Sequence, residues 1–99
     1  MSKDKLKPIR EKIDSIDLKL LRLIQKRGTL AQKVGEIKGL IDKSSSLYRP
    51  DREAEIIRSL TKLNQGVISD TKVKIIFKEI ISACLSLEEQ LTIAYLGPR

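Results

Sequence analysis

A chain of 99 residues can hold one domain at most, and with 40% apolar but only 3% aromatic residues its core must be built from Leu, Ile and Val. Histidine is absent and Cys84 is the single cysteine, which excludes an intrachain disulfide, Ser-His and Cys-His catalytic units and a His-ligated metal, and argues against structural zinc. The formal charge of +7 favours anionic partners (nucleic acid, an anionic membrane surface or a small polyanionic metabolite), while the lack of a membrane-length apolar run or a signal-peptide core predicts a soluble cytoplasmic protein.

The spacing predicts three helices and an all-α fold. The first spans about Leu6 to Ile41 on a stripe of Leu6, Ile9, Ile13, Ile16, Leu20, Leu23, Arg27, Leu30, Val34, Ile37 and Ile41. Its steps alternate between three and four residues without a slip, as in a helix that packs along another helix. Pro8 falls in the first turn, and Gly28, Gly35 and Gly39 each weaken the helix by about 1 kcal/mol relative to Ala. About 36 residues at 1.5 Å each make a rod of roughly 54 Å, whereas a compact domain of this size is roughly 35 Å across, from its ~13 Å radius of gyration. Two shorter helices cannot cover that seam from one side, so a second copy of the chain is expected to complete it.

Residues 42–48, with Ser44-Ser45-Ser46, read as a loop. The second helix starts near Pro50, with Asp51, Glu53 and Glu55 suiting the positive end of its dipole, and Asn64-Gln65-Gly66 ends it. Its stripe is Glu53, Ile56, Leu60 and Leu63, widened by Ile57. Ser69 is the expected N-cap of the third helix, which runs to about Leu91 on Val73, Phe77, Ile81, Cys84, Glu88 and Leu91. Ile93 to Leu96, followed by Gly97-Pro98, reads as a short strand entering a turn.

Each stripe carries one charge: Arg27, Glu53 and Glu88. One such charge is as well explained by a buried ion pair, Arg27 with Glu53 or Glu88, or by a side chain reaching out at the stripe's edge. Three in three helices point to a polar cavity inside a helix bundle, lined by both signs. Lys38, eleven residues after Arg27, lies about 20° away around the helix and about 16.5 Å along it, so both can converge on one ligand. Arg52 adjoins Glu53. Arg10 lies about 100° off the Arg27 face, so it suits the cavity of a second chain better than its own. Taken singly, Arg10, Lys38 and Arg52 are otherwise solvated surface cations.

These residues carry a family resemblance. Pro8-Ile9-Arg10-Glu11-Lys12-Ile13-Asp14, Asp17, Leu20-Leu21, Leu23, Arg27, Ala31, Val34-Gly35 and Lys38 resemble the first helix of the all-helical chorismate mutases. Arg49-Pro50-Asp51-Arg52-Glu53 resembles the start of their second helix, and Ile81 to Glu88 the segment of the third that closes the site. The resemblance implies a three-helix protomer in an intertwined, domain-swapped homodimer with two sites. It further implies that Arg10 of one chain and Arg27 of the other hold the two carboxylates of chorismate. Lys38 would contact a carboxylate and the ether oxygen, Glu53 the ring hydroxyl and Glu88 the ether oxygen, with Arg52 and Cys84 along the wall. The tail Ile93-Ala94-Tyr95-Leu96-Gly97-Pro98 resembles the opening strand of prephenate dehydratase domains. Residues 1–92 are therefore expected to be a mutase domain, and residues 93–99 a linker or the truncated start of a dehydratase-like domain in a longer parent.

The implied reaction, chorismate to prephenate in phenylalanine and tyrosine synthesis, is a unimolecular Claisen-type rearrangement that needs no nucleophile, metal or cofactor. Catalysis rests on holding the dianion in its reactive conformer and on stabilising charge that develops at the breaking C–O bond. Two positions depart from the common pattern. Many relatives carry Gln at position 88, and an ionised Glu88 can only accept hydrogen bonds, so it must be protonated to donate one. Relatives often place Asp three residues before the Arg-Glu pair; here that residue is Arg49, which leaves Glu53 as the main hydroxyl acceptor.

Three other readings compete. A basic helical nucleic-acid-binding dimer is permitted by the charge, but the 20 basic residues are scattered among acidic ones and lack stacking aromatics, so no nucleic-acid partner is expected. A structural dimerisation module explains the heptads and not the charges on them. An isochorismate pyruvate lyase would use a similar site.

Overall fold

The structure, a computed structural model, describes residues 2–41 and 50–96. These form three helices, α1 (Ser2–Ile41), α2 (Pro50–Leu63) and α3 (Asp70–Leu96), so the fold is all-α as the periodicity predicts. Residues 42–48, expected as a loop, lie outside the described residues, as do Arg49 and Gly97-Pro98.

The boundary signals act as expected around α2 and α3. Ser69 Oγ accepts the Lys72 backbone N–H at 3.2 Å, the N-cap bond that satisfies one of the free donors of the first turn. The turn before it is pinned by Asn64, whose amide donates to the Ile68 carbonyl at 3.0 Å and the Asp70 carboxylate at 2.7 Å.

Two boundaries differ from the sequence expectation. First, α1 begins at Ser2, about a turn earlier than Leu6, so Pro8 lies inside the helix rather than in its first turn. Second, Ile93–Leu96 is not a strand: α3 continues through it to Leu96. Tertiary contact overrides the β-preference of Thr92, Ile93 and Tyr95. Thr92 is fully buried, its hydroxyl donates to the Glu88 carbonyl one turn back, and Tyr95 rests on α1 at Gly39. No Gly or Pro interrupts the helix before residue 97.

The α1–α3 contact runs along the three glycines of α1. A Cβ at Gly28 would meet the end of Leu87, one at Gly35 the backbone of Glu88, and one at Gly39 the Thr92 carbonyl and Tyr95. At 100° per residue, positions 28, 35 and 39 fall within about 40° of one another, forming one bare face. Numbering rises together along both helices, so α1 and α3 run parallel, and α2 packs back along α3 in the opposite direction. The glycines weaken the isolated helix, but here they also let two backbones touch.

This packing engages only the last third of α1. Every residue from Lys5 to Lys26 is exposed, including Ile9, Ile13, Ile16, Leu20 and Leu23 of the apolar stripe. The buried apolar core is small, comprising Ile57, Ile81 and Cys84. The chain is correspondingly long and thin, 66 × 26 × 15 Å, with a radius of gyration of 18.1 Å against about 13 Å for a compact domain of 100 residues. None of the described helices is long and apolar enough to cross a membrane.

Candidate active site

A cavity of about 430 Å³, the size of a small-molecule site, opens where α1, α2 and α3 meet. From α1 it receives Arg27, Leu30, Ala31, Val34 and Lys38, spaced three or four residues apart so that they share one face. That face lies about 100° around the helix from the glycines. The same helix therefore seats its bare face on α3 and turns its charged stripe into the cavity. From α2 come Arg52, Glu53 and Ile56, and from α3 Ile81, Cys84, Leu85 and Glu88.

Six of the eight residues singled out in the sequence thus converge: Arg27, Lys38, Arg52, Glu53, Cys84 and Glu88. Arg49 lies outside the described residues. Arg10 is not at this cavity; it stands among Leu6, Lys7, Glu11 and Asp14 on the exposed half of α1, seventeen residues or about 25 Å before Arg27.

The charges pair in a way that spacing alone left open. Glu88 Oε1 accepts from Lys38 Nζ at 2.5 Å, and both side chains are largely withdrawn from solvent. The ion pair of Arg27 with Glu53 or Glu88, considered from sequence, does not form. Among the described residues Arg27 and Glu53 have no ion-pair or hydrogen-bond partner, although both are half-buried. Arg52 pairs at the solvent edge with Glu55 at 3.3 Å. The cavity therefore presents a free guanidinium at one end, a Lys–Glu pair at the other and a free carboxylate on α2. Desolvated charge without a counter-charge is costly, and an anionic ligand would relieve that cost at Arg27.

Leu30, Val34 and Ile56 stood on apolar stripes without being assigned to the site, and they line it together with Ile81 and Leu85 of the site-closing segment. They form its nonpolar walls, where they exclude water and strengthen each charge–ligand contact. Their three- and four-residue offsets from Arg27, Glu53, Cys84 and Glu88 were the available signal. Cys84 is buried and has no partner with which to form a disulfide among the described residues.

Comparison with known proteins agrees with this geometry. The family model for chorismate mutase type II matches residues 9–89. The bifunctional chorismate mutase/prephenate dehydratase of Neisseria gonorrhoeae is 44% identical over 92 residues, covering 93% of this chain and 24% of that protein. The chain thus spans about a quarter of the length of such bifunctional relatives. The chorismate mutase of Methanocaldococcus jannaschii is 38% identical over 88% of this chain and 87% of its own. The solved form II chorismate mutase of Thermus thermophilus superposes with a TM-score of 0.79 at 34% identity, covering 86% of this chain and 94% of that one.

Proposed function

The chain belongs to the chorismate mutase type II family, and from that premise we propose that it rearranges chorismate to prephenate in the cavity between α1, α2 and α3. The observation that carries this is the half-buried Arg27, unpaired among the described residues, facing the Lys38–Glu88 pair across a cavity with nonpolar walls. Arg27 takes one carboxylate of the dianion. Lys38 takes the other end and the ether oxygen, and Glu53 accepts from the ring hydroxyl, with Arg52 and Cys84 along the wall. Fixed cations select the compact conformer and meet the charge that develops as the C–O bond breaks. Glu88 assists by donating to the ether oxygen, which requires its protonated form. No cofactor, nucleic acid or membrane takes part, and the enzyme acts in the cytoplasm.

The working unit is an intertwined homodimer in which Arg10 of one chain reaches the second carboxylate in the site of the other. Two observations support this. Residues 5–26 of α1 leave a row of Ile and Leu side chains uncovered, which an isolated helix does not sustain. The accessible surface of 8230 Å² exceeds by about 2,500 Å² the ~5,700 Å² of a folded monomer of this mass, an excess typical of obligate dimers. The mutase unit, expected over residues 1–92, is followed by a dehydratase domain, in keeping with the names of the bifunctional relatives. Because α3 carries on to Leu96, the junction falls beyond that residue.

The test is the loss of chorismate absorbance with purified protein at several values between about pH 5 and pH 8. Turnover to prephenate is expected. A folded dimer that leaves chorismate untouched over that range overturns the assignment, and release of pyruvate from isochorismate would replace it with the lyase.

A further inference from the structure

We propose that Gly35 and Thr92, neither of which lines the cavity, are positioning residues that fix Glu88 against Lys38; this rests on the functional reading above. The Glu88 main chain is held from two sides. On one side it lies directly on the α1 backbone: a Cβ at Gly35 would overlap the Glu88 carbonyl oxygen and stand 2.9 Å from its carbonyl carbon and 3.0 Å from its Cα. On the other, the Thr92 hydroxyl donates to that same carbonyl oxygen at 2.8 Å, from a side chain only 1% exposed. Lys38 lies three residues beyond Gly35, on the next turn of the same helix. The backbone contact at Gly35 therefore sets how far the Glu88 main chain stands from the root of Lys38, and hence the 2.5 Å between Nζ and Oε1.

Gly35 differs in this from Gly28. A methyl group at Gly28 would meet only the end of the Leu87 side chain, at 3.3 Å, which can rotate away. At Gly35 the obstacle is main chain, so α3 itself must move, and it carries Glu88 with it. Thr92 acts more gently. A threonine hydroxyl that bonds back to the carbonyl four residues earlier bends its helix slightly and so sets the tilt of the turn that bears Glu88.

The experiment compares Gly35→Ala, Thr92→Val and Thr92→Ser with the natural chain in two ways. Kinetics with chorismate should show kcat falling by about 100-fold in Gly35→Ala, the loss typical of an ångström-scale misplacement, with KM changed by less than about threefold because Arg27 is untouched. Thr92→Val, which keeps the shape and loses the hydroxyl, should fall by about tenfold, and Thr92→Ser should restore most of that loss. In thermal melts, the coupling between Lys38→Met and Glu88→Gln, present in the natural background, should vanish in Gly35→Ala. Unchanged kcat in folded Gly35→Ala and Thr92→Val, or coupling that persists in both, overturns the proposal. If Gly35→Ala does not fold, the Thr92 pair decides by the same measures. If the natural chain does not turn over chorismate, the functional reading fails and the melts alone decide the positioning role.

Discussion

The proposed chemistry depends most on Arg27, because it is the cavity's cation without a counter-charge among the described residues. Arg27→Ala should lower kcat/KM by about 10²- to 10³-fold, the loss seen when one preorganised donor to developing charge is removed, with little change in the thermal melt. Steady-state kinetics beside circular dichroism checks both halves. Glu88 presents a different case. Its carboxylate accepts from Lys38, yet the proposed role requires it to donate. Glu88→Gln should therefore keep at least the natural kcat/KM, because an amide donates without having to bind a proton first. A Glu88→Gln chain that loses activity as deeply as Arg27→Ala would remove Glu88 as the donor and leave Lys38 in that place.

At the scale of elements, α1 has two neighbouring faces with opposite needs, one bare and one charged. Their difference gives a prediction about stability. Gly39→Ala would bring a Cβ to 2.5 Å from the Tyr95 Cβ and 2.7 Å from the Thr92 carbonyl, and such overpacking costs about 1–3 kcal/mol. Gly28→Ala meets only a flexible side-chain tip and gains about 1 kcal/mol in helix propensity, so it should be neutral or slightly stabilising. Urea denaturation of the two variants should move their midpoints apart. Gly28, Gly35 and Gly39 stand seven and four residues apart, and that regular spacing was the available sign that they share a contact face rather than merely weaken the helix. The reassigned tail, Ile93–Leu96, belongs to this contact. Its β-branched and aromatic residues resemble a strand locally, and only the seat that Gly39 offers to Thr92 and Tyr95 makes helix the better choice.

For the whole molecule, the exposed half of α1 is the observation on which the proposed dimer rests. Sedimentation should give twice the 11.2 kDa chain mass, and the melting temperature should rise with protein concentration, as it does when folding and association are coupled. A monomer at micromolar concentration would contradict the shared site. The sharper check uses Arg10→Ala and Arg27→Ala chains, each expected to be nearly inactive as a homodimer. Unfolded together and refolded at equal amounts, they should recover about a quarter of natural activity, because half the dimers are mixed and each has one intact site of two. No recovery would place Arg10 and Arg27 in the same chain's site.

Helix number, the α2 and α3 start signals and the candidate charges were legible in the sequence because they depend on local periodicity and on residue types that physics forbids in an apolar stripe without a purpose. The same heptads implied that α1 is too long for its own chain to cover. Spacing along one helix could not determine which charges meet across helices, since pairing depends on the distance between backbones. The contact at Gly35 sets that distance and joins Lys38 to Glu88, while Arg27 and Glu53 have no partner among the described residues. Nor could local propensity foresee that residues 93–96 stay helical, because their conformation is chosen by α1, more than fifty residues away in the chain.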